Sequence, residues 1–241
     1  MLLDHYDLFA FDLDRTLIAV ADFVWNHLHD RFGVAPAVRK ARREQFKQGQ
    51  LSYKDWVKAD LGDWRAQGRT RADFVDALSE IKPIAGAETF IQTLQKEGKK
   101  VVLISGSVSL AREIVLPHTR FDAEYINRIH FLPDGGLADC TATNYDFEGK
   151  ALALMACART FRIPMARTVF VGDGENDAPA LRQAGLGLAF HASSEKAKEA
   201  ARIVIDGDDM GLVQAFFQKE AALDCCLGRS GAFRNITNNL T

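Results

Sequence analysis

Two aspartates, Asp12 and Asp14, close an apolar run as Phe-Asp-Leu-Asp-Arg-Thr-Leu. Residues two apart on an extended segment point to the same side, so Asp12 and Asp14 are expected to share one small space while Leu13 turns away. Like charges at that distance raise one pKa. Such a pair divides into an ionised nucleophile and a proton-carrying acid/base, or offers two oxygens to a hard cation. The alternative is a pair of turn residues at a strand end, where aspartate is common. A second acidic turn follows an apolar run at Phe170-Val171-Gly172-Asp173-Gly174-Glu175-Asn176-Asp177. It is no EF-hand, because Ala178 stands where a glycine is required, and its glycines do not follow the Gly-x-Gly-x-x-Gly dinucleotide pattern. A capping aspartate in a tight turn explains one acid but not a second acidic strand end. A third run ends in Ser105-Gly106-Ser107, just before a helical segment. Backbone N–H groups at a helix N-terminus beside a hydroxyl form a phosphate seat, and a plain N-cap is the competing reading. Gly149-Lys150 opens a further helix. Lys150 is not a Walker lysine, since Asn144 replaces the first glycine and Ala151 the magnesium-binding hydroxyl; its other reading is an ordinary surface lysine.

The elements that must position these residues are legible as short apolar runs at 6–12, 100–104, 168–171, 186–190 and 202–205, the pattern of strands buried on both faces of a parallel sheet. Helical periodicity falls at 87–97, 108–116, 148–160, 177–184, 194–200 and 210–217. Strands alternating with helices predict a doubly wound, Rossmann-like α/β core with a parallel sheet, covering 1–16 and 83–218. Ligands of such sheets gather at the carboxyl ends of the strands, where both acidic turns lie. Residues 17–82 break the rhythm with four charged amphipathic stretches near 20–33, 36–48, 52–61 and 70–80 and no convincing strand, which predicts an inserted α-helical cap domain. Pro133-Asp134-Gly135-Gly136 between apolar flanks predicts a β-hairpin over 126–137. Residues 219–241 read as a C-terminal extension, an extra helical turn and a loose tail.

A chain of 241 residues fits one large domain, or a core carrying an insertion. With 47% hydrophobic and 26% charged residues it is an ordinary globular sequence. Thirty Lys and Arg against 32 Asp and Glu leave a net charge of -2, which offers no general field for nucleic acid or an anionic membrane. No stretch approaches the roughly 18 apolar residues of a membrane span, and the acidic N-terminus is unlike a signal peptide, so the expected location is cytoplasmic. Cys140, Cys157, Cys225 and Cys226 have no zinc-like spacing and are expected as reduced thiols.

Taken together, Asp12-Leu-Asp14-Arg-Thr16, Ile104-Ser105-Gly106, Lys150 and Gly172-Asp173-Gly174-Glu-Asn176-Asp177 resemble, in order and separation, the motifs of the haloacid dehalogenase-like (HAD) superfamily over about residues 6–215. The helical insertion after the first motif, and the Asn127-Arg128 pair, resemble its phosphoserine phosphatase-like branch. The resemblance implies Asp12 as the nucleophile that forms an aspartyl-phosphate and Asp14 as the acid/base. It implies a Mg²⁺ site of Asp12, Asp14 (through its backbone carbonyl) and Asp173, with Asp177 as a close helper. It also implies Ser105, the Gly106 amide and Lys150 as holders of phosphoryl oxygens, and Asn176 as a substrate-side contact. The phosphoserine-reading positions differ: Ala21, with Asp22 beside it, stands for a glutamate and Lys58 for an arginine, and lysine cannot form the same planar fork to a carboxylate. Asp22 and Lys58 become the candidates for reading the leaving group. The basic run Arg39-Lys40-Ala41-Arg42-Arg43 reads as a solvated helix face, or as an attractor of an acidic substrate. The implied activity is a Mg²⁺-dependent phosphatase acting on a small phosphorylated metabolite. A phosphotransferase sharing the intermediate, or phosphoserine phosphatase proper, are the alternatives. A non-catalytic phospholigand binder is disfavoured because every turnover residue is present.

Overall fold

The computed structural model describes residues 1–145, 149–218 and 234–236. The first strand, β1 (Leu8–Phe11), is buried along its whole length, as its Leu-Phe-Ala-Phe sequence requires. The chain then passes through β2 (Ile18–Ala19), four helices α1 (Val24–Arg31), α2 (Pro36–Lys47), α3 (Tyr53–Ala66) and α4 (Arg71–Ser79), and β3 (Lys82–Pro83). It continues through α5 (Ala87–Lys96), β4 (Lys100–Val108), α6 (Ser109–Val115), β5 (Ala123–Phe131), β6 (Leu137–Thr141) and α7 (Gly149–Thr160). The remaining elements are β7 (Thr168–Gly172), α8 (Ala178–Gln183), β8 (Leu186–Phe190), α9 (Glu195–Ala200), β9 (Ile203–Ile205), α10 (Gly211–Gln218) and β10 (Arg234–Ile236).

The main sheet has the order β10-β9-β8-β7-β1-β4-β5-β6. All neighbours are parallel except β5 and β6, the expected hairpin. Alternation along β1 divides the core. Phe9 and Phe11 face α5 and α10, where Phe90 and Phe217 pack edge-on against Phe9 at 6.3 and 5.1 Å. Leu8 and Ala10 face the opposite side, packed with Leu154, Cys157 and Leu181 of α7 and α8. The chain builds to one side of β1 through β4 and β5, then crosses to the other through β7, β8 and β9, so β1 marks the switch point beyond which ligands of such sheets bind.

The helices α1–α4 extend the core that holds Phe9 and Phe11, gathering around Trp64. Trp64 is fully buried, stacked on Trp25 at 5.5 Å and edge-on to Phe32 and Phe74. Ser52 caps α3 through the Asp55 N–H, and Thr70 with Asp73 forms a capping box on α4. This layer docks on the hairpin. Phe74 meets Phe131 at 5.4 Å, the Arg71 N–H donates to the Gly135 carbonyl, and Arg65 donates to the carbonyls of Leu137 and Ala138.

Three expectations need correction. The segment 17–82 does hold a strand, β2, which pairs antiparallel with β3 at the segment's end and ties the two ends of the helical layer together; two-residue strands, one of them ending in Pro83, carry no periodic signal. Ser105, Gly106 and Ser107 are not at a helix N-terminus but inside β4, since α6 starts only at Ser109. The register there shifts, with Ile104 opposite Tyr125 but Val108 opposite Asn127, so β4 bulges at these residues. Finally, Arg234–Ile236 forms an edge strand on β9 where a loose tail was expected; the expected helical turn and Cys225 and Cys226 lie outside the described residues. Cys140 and Cys157 are free thiols, and burial pushes Cys140 up to about 12. Among the described residues, no helix is long and apolar enough to cross a membrane.

Candidate active site

Asp12 is the first residue beyond β1, and its N–H donates to the Val171 carbonyl of β7 at 3.0 Å, which fixes it on the seam between the two strands. Asp173 is the first residue beyond β7. A short 3₁₀ turn then brings Asp177 back so that its Oδ2 accepts the N–H groups of Asp173 and Gly174 at 3.0 and 2.9 Å. This fold-back requires a glycine before it, because a Cβ on Gly172 would lie 2.5 Å from the Asp177 carboxylate. Lys150, in the first turn of α7, is fully buried and reaches Asp177 Oδ1 at 2.6 Å and Asp12 Oδ1 at 2.9 Å. Two strand ends and one helix start thus converge on a buried cluster.

Asp12, Asp173 and Asp177 each place a carboxylate oxygen within 4.8 Å of the others. Burial, followed by the charges of Asp177 and Asp12, pushes Asp173 up to about 8 despite Arg15. Burial also raises Asp177, to about 6, with Asp12 adding to it and Lys150 opposing. For Lys150, burial works against the charge, but Asp12 and Asp177 outweigh it and hold the ammonium above the usual lysine range. The cluster is therefore short of positive charge, and its donors are all hard oxygens with no Cys or His among them. That combination fits Mg²⁺.

Asp14 sits in the turn that follows β1: the strand ends at Phe11, and the Leu13 carbonyl accepts the N–H groups of Thr16, Leu17 and Ile18. The buried Asp14 accepts the Val24 N–H at 2.8 Å, at the first turn of α1. Its carboxylate lies outside the three-acid group. Ser105, almost wholly buried, accepts the Ser107 N–H at 3.2 Å. Asn176 is half-buried on the turn that carries Asp177. Asp22 is exposed and accepts a hydrogen bond from Asn26, while Lys58 is exposed and sits 3.9 Å from Asp55 of its own helix.

Residue reasoning missed two participants. Arg15, in the left-handed region at φ 60°, donates to Asp173 at 2.8 Å and to the Ala21 carbonyl at 3.1 Å. Trp25 donates its indole N–H to the Gly106 carbonyl at 2.9 Å. Arg15 stands inside the first motif, so its position was visible although its backbone conformation was not; Trp25 looked like any core aromatic. Asn127, noted only through resemblance, donates to the same carbonyl at 2.5 Å.

A family model for haloacid dehalogenase-like hydrolases matches residues 6–185. The chain is 34% identical over 205 residues to phosphoserine phosphatase SerB2 of Mycobacterium tuberculosis, an alignment covering 83% of this chain and 46% of that protein. It thus spans about half the length of that relative. It is 30% identical to a phosphoserine phosphatase of Idiomarina loihiensis, with 77% of this chain and 82% of the relative covered. Among solved structures, a phospho-aspartyl intermediate analogue of phosphoserine phosphatase superimposes with a TM-score of 0.68 at 26% identity, over 88% of this chain and 98% of the other. The match over most of the chain, with the acids, Lys150 and the helical layer arranged as described, establishes that the chain belongs to the haloacid dehalogenase-like hydrolase family.

Proposed function

We propose that the chain is a Mg²⁺-dependent phosphomonoester hydrolase that acts on a small phosphorylated metabolite in the cytoplasm, with Asp12 as its nucleophile. The observation that carries this reading is the buried meeting of Asp12 with Lys150, Asp173 and Asp177. Asp12 attacks phosphorus as the bond to the leaving oxygen breaks, and Asp14 gives that oxygen its proton. Asp14 then takes a proton from water, whose oxygen attacks the aspartyl-phosphate and releases inorganic phosphate with Asp12 restored. Ser105 already accepts a hydrogen bond from Ser107, which leaves its own hydroxyl proton to donate to a phosphoryl oxygen, beside the Gly106 amide. Lys150 offsets the repulsion between Asp12 and an anionic substrate. Asp12, Asp173 and the Asp14 carbonyl, with Asp177 in support, would hold Mg²⁺, which would supply neutralising charge for the phosphoryl group.

In this reading residues 17–82 act as the cap and choose the leaving group, with Asn176, Asp22 and Lys58 on the substrate side. The relatives named phosphoserine phosphatase place phosphoserine on the assay panel. Ala21 and Lys58, in place of a glutamate and an arginine, favour a different small phosphomonoester. The test is turnover of a panel of phosphorylated metabolites with Mg²⁺ and with EDTA. Asp12→Asn should abolish phosphoenzyme, because an amide is no nucleophile, whereas Asp14→Asn should form it slowly or hydrolyse it slowly. Full turnover in EDTA, or by Asp12→Asn, would overturn the assignment. Added alcohols that divert product to new phosphomonoesters would identify a phosphotransferase.

A further inference from the structure

One peptide group in the bulge of β4 carries more connections than its neighbours. The carbonyl of Gly106 and the N–H of Ser107 belong to the same planar unit, so fixing the direction of one fixes the other. The carbonyl accepts Trp25 Nε1 at 2.9 Å and Asn127 Nδ2 at 2.5 Å, and the N–H donates to Ser105 Oγ at 3.2 Å. Asn127 is completely buried, and its hydrogen-bonding capacity is spent in full. Its amide nitrogen donates to Gly106 and to the Tyr53 hydroxyl at 3.0 Å, and its oxygen accepts the N–H and the hydroxyl of Thr143 at 2.6 and 3.0 Å. The adjoining Asn144 carbonyl accepts the N–H of Gly149, the residue before Lys150. Trp25 comes from α1 and Tyr53 from α3, so two of the groups that meet here belong to the helical layer.

We infer that Trp25 and Asn127 are positioning residues: by clamping the Gly106 carbonyl they turn the Gly106–Ser107 peptide so that its N–H holds the Ser105 oxygen and aims the Ser105 hydroxyl proton at the phosphoryl group. The inference rests on the phosphatase reading and adds a direct link from cap to phosphoryl grip. A cap that only selects leaving groups changes the ranking of substrates. A cap that sets this peptide changes the phosphoryl end, and so affects every substrate alike, including one with no leaving group to read.

The deciding variant is Trp25→Phe, which removes the indole N–H and keeps a ring against Trp64. Tyr53→Phe, which takes from Asn127 the hydroxyl that accepts its second N–H, decides if Trp25→Phe does not fold. For the Mg²⁺-loaded protein, kcat/KM on p-nitrophenyl phosphate and on the best substrate of the panel should fall by about the same factor, tenfold or more. The Kd of inorganic phosphate, measured by calorimetry, should rise at least fivefold while the melting temperature stays within a few degrees. Phosphate affinity and both kcat/KM values within twofold of wild type in the folded variant would overturn the inference, as would a loss confined to one substrate. Failure of the phosphatase reading is distinct, since wild type itself would then turn over no phosphomonoester.

Discussion

Arg15 holds a left-handed backbone conformation, which costs a non-glycine residue about 1–2 kcal/mol, and spends its guanidinium on Asp173. The same carboxylate belongs to the three-acid group that fits Mg²⁺, so Arg15 and the ion compete for it. Arg15→Gly removes both the strained conformation and the competing cation. Half-saturation with Mg²⁺, read from activity titrations, is expected to fall severalfold, and an unchanged or higher requirement would show that the pair does not compete. The titration of Asp173 gives a second prediction at this scale. A carboxyl raised by folding contributes stability that is complete below its unfolded value near 3.8 and is lost as pH rises through its folded value, here about 8. Asp177 acts in the same direction up to about 6. Melting temperature in EDTA should therefore decline from pH 5 to pH 8. The gain on adding Mg²⁺ should be larger at pH 8 than at pH 6, where the ion must first displace a proton. Equal gains at both pH values would contradict the shift.

Among the elements, α2 shows how much a charge run conceals. Its Arg39 bonds to Asp30 and to the Asn26 carbonyl, and Arg42 ties to Asp60 and Asp63 at 2.7 Å, beside buried His29. Arg43 and Lys47, one turn apart, lie toward Glu175 on the turn of Asn176; Lys196 first, then these two, hold Glu175 below the usual glutamate range. Lys196 of α9 pairs with Glu175, and the charges of Arg43 and Lys47 on α2 add to its positive surroundings. Arg43→Gln with Lys47→Gln should weaken kcat/KM for phosphomonoesters bearing a second anionic group more than for neutral ones, with the difference shrinking at high salt. Asp22→Ala and Lys58→Ala should alter the ranking of panel substrates while stability stays within about 0.5 kcal/mol; an unchanged ranking would mark both as solvated charges. The strands of the core were legible because burial on both faces leaves uninterrupted apolar runs, and the site acids because they terminate those runs. The bulge at Ser105-Gly106-Ser107 was not, since extra residues in a strand have no composition of their own. Nor was the clamp on Gly106, whose donors lie 81 and 21 residues away and leave no periodic trace.

At the scale of the molecule, the sheet ends on one side with β6, a short strand whose outer edge, among the described residues, has no further strand in the sheet. An unpaired strand edge is a template for a second chain, and proteins blunt such edges with charge or cover. Here the cover comes from the helical layer: Arg65 of α3 occupies the carbonyls of Leu137 and Ala138, and the Arg71 N–H occupies that of Gly135 in the hairpin turn. The helical segment therefore also covers this edge of the sheet. Arg65→Ala should lower the temperature at which light scattering sets in, and make that onset depend more steeply on protein concentration than in wild type. An unchanged onset would mean that the hairpin protects its own edge. Any change in the helices that retunes the choice of substrate is thus constrained by colloidal stability as well as by chemistry, and a helical layer loosened to admit a larger leaving group risks a chain that pairs with its neighbours.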